Sequence, residues 1–204
     1  MSLLPYFRVR FSMTYNTTSE GRIKYTRNFL RGNFRGSSQP DLNTKYTIRV
    51  AVEYNGKFLL VRRMQPHSEP ELYEFAGGKM KKGETPFKVI DREGGKETGL
   101  DLMVEGFLAT TEIEKYSRQK KQVIPITVQL YGAKTYSSEA STNDGEHDHH
   151  IWLPFEEIIE RDDLASETSA LVKKLKEEYV LAKNGNHENP FIANNLLTFS
   201  LEYK

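Results

Sequence analysis

A chain of 204 residues, 37% hydrophobic and 28% charged, suits one medium domain with extensions and excludes a fibrous or wholly disordered protein. It contains no cysteine, which rules out disulfides and thiolate metal centres, and no apolar run approaches the ~18 residues of a membrane span. The net charge of +1 conceals a division: residues 1–45 hold eight Lys/Arg against Glu20 and Asp41, giving +6, and the remainder carries −5, so the two parts are expected to do different work. The first residues lack the basic-then-apolar order of a secretory leader, and a cytoplasmic protein with no membrane partner is expected.

Along the chain, Phe7, Val9, Phe11, Met13 and Tyr15 alternate with Arg8, Arg10, Ser12 and Thr14, the period of a half-buried strand. A polar turn from Asn16 to Gly21 and a second alternation through Ile23 and Tyr25 make residues 6–29 a β-hairpin. A linker rich in Gly, Ser, Asn and Pro spans 32–44, so residues 1–44 read as a basic N-terminal extension. From Tyr46 the pattern becomes mixed α/β. Strands are expected at 46–54 and 57–62 around Asn55-Gly56, a hairpin-turn pair. Thr85 caps a helix with Pro86 at its first position, and Gly99 closes it in the left-handed conformation. Strands at 102–114 and 122–136 follow, then a polar loop at 137–148 and a short strand around Trp152. Leu171, Val172, Leu175 and Tyr179 mark an amphipathic helix over about 166–183. The main domain is therefore 45–184, an α/β (α+β) fold with a mixed sheet between helices. Residues 185–204 form a tail whose alternating Leu197, Phe199, Leu201 and Tyr203 predict a strand at 196–203, paired with the N-terminal hairpin.

Residues 77–100, "GGKMKKGETPFKVIDREGGKETGL", hold the chemistry. Glu93 and Glu97 are four apart, so they share one helical face, and converging carboxylates suit a hard cation such as Mg²⁺. Gly78, Glu84, Arg92, Glu93, Glu97, Gly99 and Leu100 also fall on the spacing G-x5-E-x7-R-E-U-x-E-E-x-G-U, with U apolar, and in this the chain resembles the Nudix hydrolases. The flanking "YEFAGGKMKKGET", the preceding strand ending in Arg62-Arg63, and the exit "HIWLPFEEI" are similar to that family too. The resemblance implies an α/β/α sandwich. It implies hydrolysis of a phosphoanhydride in a nucleoside diphosphate-linked small molecule, dependent on Mg²⁺ or Mn²⁺. Glu93, Glu97 and Glu84 would serve the metal, and Glu93, Arg92 and the late-loop Glu146 the catalysis, with Glu139 and Asp148 as rivals for Glu146. Arg92 is more readily a clasp for the loop than a substrate contact. Arg62, Arg63, Gly78 and Tyr116 would meet substrate, Tyr116 on the ground that members acting on dinucleoside polyphosphates carry a tyrosine at a similar distance past the box.

Two positions depart from the pattern. Gly94 replaces an apolar residue and Lys96 a glutamate, with Gly95 between them. Two helical glycines cost about 2 kcal/mol relative to alanine, and Gly94 forgoes a buried side chain worth roughly 1.5–3 kcal/mol. The helix is expected to persist, since Val89 and Ile90 anchor it, while Lys96 weakens its metal face. A catalytically impaired nucleotide-binding or sensor protein on the same fold is therefore the competing reading. The histidines at 147, 149 and 150 could bind a softer metal, but on a strand alternate ones would diverge. The hairpin's aromatics lie opposite Arg8 and Arg10, which favours packing or a homodimer over nucleic acid.

Overall fold

The computed structural model describes residues 14–17, 23–26, 45–66, 68–117, 121–142 and 145–183. It divides into two compact units, Met1–Leu42 and Asn43–Lys204. In the first, β1 (Thr14–Thr17) pairs antiparallel with β2 (Ile23–Thr26), Tyr15 opposite Tyr25. These strands agree with the hairpin expectation, although β1 runs into the stretch read as a turn. The hairpin's outer arms, the linker at 32–44 and the strand at 196–203 lie outside the described residues.

The second unit is built on one mixed sheet. Its strands are β3 (Lys45–Tyr54), β4 (Lys57–Arg63), β5 (Tyr73–Glu74), β6 (Ala76–Lys79), β7 (Met103–Ser117), β8 (Gln122–Lys134) and β9 (His147–Leu153). They run in the order β5-β4-β3-β8-β7, with β6 also on β3 and β9 on β4. Among the described strand pairs of this sheet only β3 and β8 are parallel. The apolar runs of β3 and β4 are nearly unbroken because both sheet faces are covered. Ile48, Val50, Val52, Leu59 and Val61 pack with Val89, Ile90 and Leu100 of the box segment. Ala51, Phe58 and Leu60 pack on the opposite face with Phe155 and Ile158 of α3 (Phe155–Ile158) and with Leu171 and Leu175 of α4 (Ser166–Lys183). The result is the expected sandwich of helix, sheet and helix. At the β3–β4 turn Asn55 and Gly56 both take positive φ, +48° and +76°, as a type I′ hairpin turn requires.

The box helix forms and continues through its glycines, but it is not uniformly α-helical. It comprises α1 (Pro86–Val89), a π-helical turn (Ile90–Gly94) and α2 (Gly95–Thr98). Thr85 accepts the Lys88 amide at 3.4 Å as N-cap, and Gly99 closes the last turn at φ +66°. Gly94 corrects the expectation of a missing core side chain. A Cβ there would lie 3.1 Å from both Val50 Cγ1 on β3 and Leu102 Cδ1 just before β7, so neighbouring side chains already fill that volume. Strand β7 runs further than expected, to Ser117. The short β5, β6 and α3 carry no periodic pattern that sequence could reveal.

Candidate active site

The site grows from the junction of β6 with the box helix. Strand β6 approaches β3 so closely that a Cβ on Gly77, at φ +137°, would sit 2.1 Å from the Ile48 carbonyl oxygen; only glycine fits. The Gly77 amide points instead at the helix and donates to Glu97 Oε2 at 2.7 Å. Glu97 is 4% exposed. Burial raises its pKa to about 7, against the opposing pull of the Arg49 charge and the Gly77 hydrogen bond. One turn earlier, Glu93 presses on the backbone of Gly78, where a Cβ would come within 2.9 Å of Glu93 Cγ. Both glycines thus let backbone approach the two carboxylates.

Around this pair stand charges at the rim. Arg92 grips Glu84 with two hydrogen bonds, Nε to Oε1 at 2.8 Å and Nη2 to Oε2 at 2.9 Å, and also contacts Glu93. The Lys81 amide adds a third bond to Glu84, at 2.7 Å. Led by the Arg92 hydrogen bond, these contacts hold the Glu84 pKa down to about 2. Both Glu84 oxygens are engaged by protein, from Arg92 and from the Lys81 amide. The Lys96 Nζ lies 3.2 Å from Oε1 of Glu146, both side chains half exposed.

The remaining sequence candidates are dispersed. Arg62 makes two hydrogen bonds to Asp148, at 2.9 and 3.2 Å. Arg63 donates to Glu74 and to Ser68, tying down the loop after β4. Tyr116 is 63% exposed near the end of β7. Gly78, Ile48, Gln129 and Thr110 lie in register across the sheet, and Tyr116 is six residues beyond that line, about 20 Å along the strand. The histidines fall on β9: His147 is buried beside Glu74 at 3.2 Å, His149 meets the Tyr73 hydroxyl at 3.1 Å, and the rings of His149 and His150 lie 6.3 Å apart.

Sequence reading missed the charges beneath the site. Arg49, on β3 and 3% exposed, donates through Nε and Nη2 to Glu167 Oε2 at 3.0 and 2.7 Å. Its Nη1 reaches the carbonyls of Phe75 and Gly77 at 3.0 and 3.4 Å. Glu74 Oε2 lies 2.8 Å from Arg49 Nη2 but accepts no hydrogen bond, so that contact is coulombic. Burial alone would raise the Glu74 pKa; Arg49, His147 and Arg63 together outweigh it and hold it at about 2. Lys115 completes the group at 2.9 Å from Glu167. The available signal was a charged residue interrupting the apolar run "YTIRVAV".

Among the described residues no three carboxylates or imidazoles converge on one point. Glu93 and Glu97 alone still fit a small hard cation, which takes one or two carboxylates, keeps waters and completes its shell with ligand phosphates. A covered mixed sheet bearing a two-carboxylate helix beside paired glycines defines the Nudix class. The NUDIX domain model matches residues 45–175, and the chain belongs to that family; it is a Nudix pyrophosphohydrolase. Hydrolases of this family generally use divalent metals. The CTP pyrophosphohydrolase of Escherichia coli (strain K12) is 25% identical over 113 residues, covering 55% of this chain and 78% of that protein. In fold the chain is similar to the E. coli ORF135 protein, with TM-score 0.52, 20% identity, and coverage of 72% of this chain and 95% of that one. It is also similar to a MutT protein from Methanosarcina mazei Go1, with TM-score 0.54, 18% identity, and coverage of 68% and 99%. No described helix is long and apolar enough to cross a membrane.

Proposed function

We propose that the chain hydrolyses a phosphoanhydride of a nucleoside diphosphate-linked substrate with Mg²⁺ or Mn²⁺, and that Glu93 and Glu97 are the carboxylates that hold the cation. The observation that carries this reading is the Gly77–Glu97 hydrogen bond at 2.7 Å, which fixes a buried carboxylate one turn from Glu93. When bound, the cation would polarise the phosphoryl oxygens and lower the pKa of a water. Glu93 orients that region from the open backbone of Gly78. The Arg92–Glu84 clasp keeps the loop from Gly78 to Glu84 in place. Glu146, half exposed at the rim, is the carboxylate that accepts a proton from the attacking water, and Lys96 holds it there. The name of the E. coli relative puts nucleoside triphosphates first among the substrates to test, followed by ADP-ribose and dinucleoside polyphosphates. We further propose that the protein works in the cytoplasm and that residues 1–44 serve self-association.

The experiment is a phosphate-release screen over those three substrate groups with Mg²⁺ or Mn²⁺, comparing native protein with Glu97→Gln. Turnover of one group that the substitution abolishes is the expected result. Tight nucleotide binding without turnover on any of them would instead establish the nucleotide-binding reading.

A further inference from the structure

We propose that Arg49 is a positioning residue for Glu97, acting through the peptides on either side of the Gly77 amide; the proposal rests on the reading of Glu97 as a metal-holding group. Arg49 lies outside the box and touches none of its carboxylates by hydrogen bond. Its guanidinium nevertheless holds the two peptides that flank the one that does, Ala76–Gly77. Nη1 donates to the carbonyls on either side of Ala76, those of Phe75 and Gly77, while the Gly77 amide donates to Glu97 Oε2. The same side chain therefore sets the tilt of the peptides from which Glu97 is held. Arg49 is itself immobilised: Glu167, in the first turn of α4, takes both Nε and Nη2 on one oxygen, and Glu74 stands beside Nη2. A planar fork is required, because one face of the group addresses carbonyls and the other a carboxylate; a lysine ammonium has no such geometry.

β6 pairs with β3 over Thr47–Lys79 to Val50–Ala76, and the Met80 amide donates to the Tyr46 carbonyl, so by alternation Arg49 and Gly77 are a non-hydrogen-bonded pair. The Gly77 amide and carbonyl therefore point away from β3, the first to Glu97 and the second to Arg49. Without the Arg49 fork the Phe75 and Gly77 carbonyls lose these bonds, and the Ala76–Gly77 peptide between them is no longer braced from both sides. The construction runs from α4 through Arg49 to Gly77 and ends on the carboxylate. Partners hydrogen-bonded to a metal ligand change its affinity by about 10–100-fold when altered, and Arg49 stands one step beyond such a partner.

The test compares Arg49→Lys and the milder Glu167→Gln with Leu175→Ala, a core truncation on α4 that serves as the stability control. Two readouts are made on the full-length protein: the ¹⁵N-glycine spectrum, for the Gly77 amide, and Mn²⁺ binding by electron paramagnetic resonance. Arg49→Lys should move the Gly77 amide signal toward its position in Glu97→Gln and weaken Mn²⁺ about tenfold. Glu167→Gln should do both to a smaller extent. Leu175→Ala should do neither at an equal loss of melting temperature. A Gly77 signal in Arg49→Lys at its native position, or one displaced equally in Leu175→Ala, overturns the proposal whatever the metal does. If the Gly77 signal moves as stated while the native protein binds no Mn²⁺, the positioning role stands and the metal-holding reading of Glu97 falls.

Discussion

The sheet carries two sets of charges that differ in their surroundings rather than in their chemistry. Beneath the site, Arg49, Glu74 and Glu167 are each less than a tenth exposed, and Arg49 contacts each of the two carboxylates within 3.0 Å. At the rim, Arg62–Asp148 and Lys96–Glu146 have similar distances but stand largely in water. In the first set every removed partner leaves a desolvated charge behind; in the second, solvent takes the partner's place. The comparison teaches where this molecule keeps rigidity and where it keeps adaptability. The fixed carboxylate, Glu97, hangs from the buried set, and the adjustable one, Glu146, belongs to the rim.

The largest effect should come from Arg49→Met, which strands Glu74 and Glu167 without a cation. Breaking a buried pair costs about 3–5 kcal/mol, and denaturant unfolding would show it; a loss under 1 kcal/mol would place the network on the same footing as the rim. Next comes Glu97. Its ordinary pKa is 4.5 and its folded value about 7, so between those values the folded state holds a proton that the unfolded chain has released. Stability of the metal-free protein therefore falls as pH rises through that window. Glu97→Gln stays neutral, and its amide oxygen can still accept from Gly77. It should abolish the slope, stabilise the metal-free protein at pH 8 by up to about 3 kcal/mol, and eliminate turnover. Thermal unfolding from pH 5 to 8 checks the first two. For native protein, metal affinity should also decline below pH 7, since the cation needs the carboxylate charged.

Lys96→Glu should follow in size. It removes an ammonium from Glu146 and adds a carboxylate on the metal face, so Mg²⁺ binding by calorimetry should tighten by about tenfold, the worth of a screened contact charge. Unchanged affinity would mean that Lys96 leaves the metal face unaffected. The smallest effect belongs to Arg62→Ala, which removes an exposed pair worth roughly 0–1 kcal/mol.

The glycine pair shows what sequence could and could not say. The spacing from Gly78 to Leu100, the cap at Thr85 and the close at Gly99 were legible because each is a local rule, and the helix stands where they put it. Whether Gly94 was a loss could not be read, since that depends on Val50 and Leu102 arriving 3.1 Å from an absent Cβ. Gly95 has only the Leu100 carbonyl oxygen at 3.8 Å. Gly95→Ala should then raise stability by about 1 kcal/mol, and Gly94→Ala should forfeit that gain to the clash, a difference that parallel melting curves would reveal. Arg49 was illegible for a similar reason. Its partners on β5 and α4 are remote in sequence, and a lone cation in an apolar run does not name them. Arg63 illustrates a third case: its place at the end of a strand was visible, but its engagement with Glu74 was not.

The parallel pairing of β3 with β8, Lys45 opposite Ile126, has a consequence for how the molecule assembles. The long hairpin of β7 and β8 joins neighbours and forms from local encounters, whereas the β3–β8 seam must close a loop containing the entire box. Closing such a loop is entropically slow and its contacts come late. Glu97 is held by a peptide of β6, which rests on β3, and Arg49 reaches further to α4, beyond the seam. The Arg49–Glu167 contact is thus among the last features to mature, and a nascent chain that has just emerged with its whole box translated still lacks it.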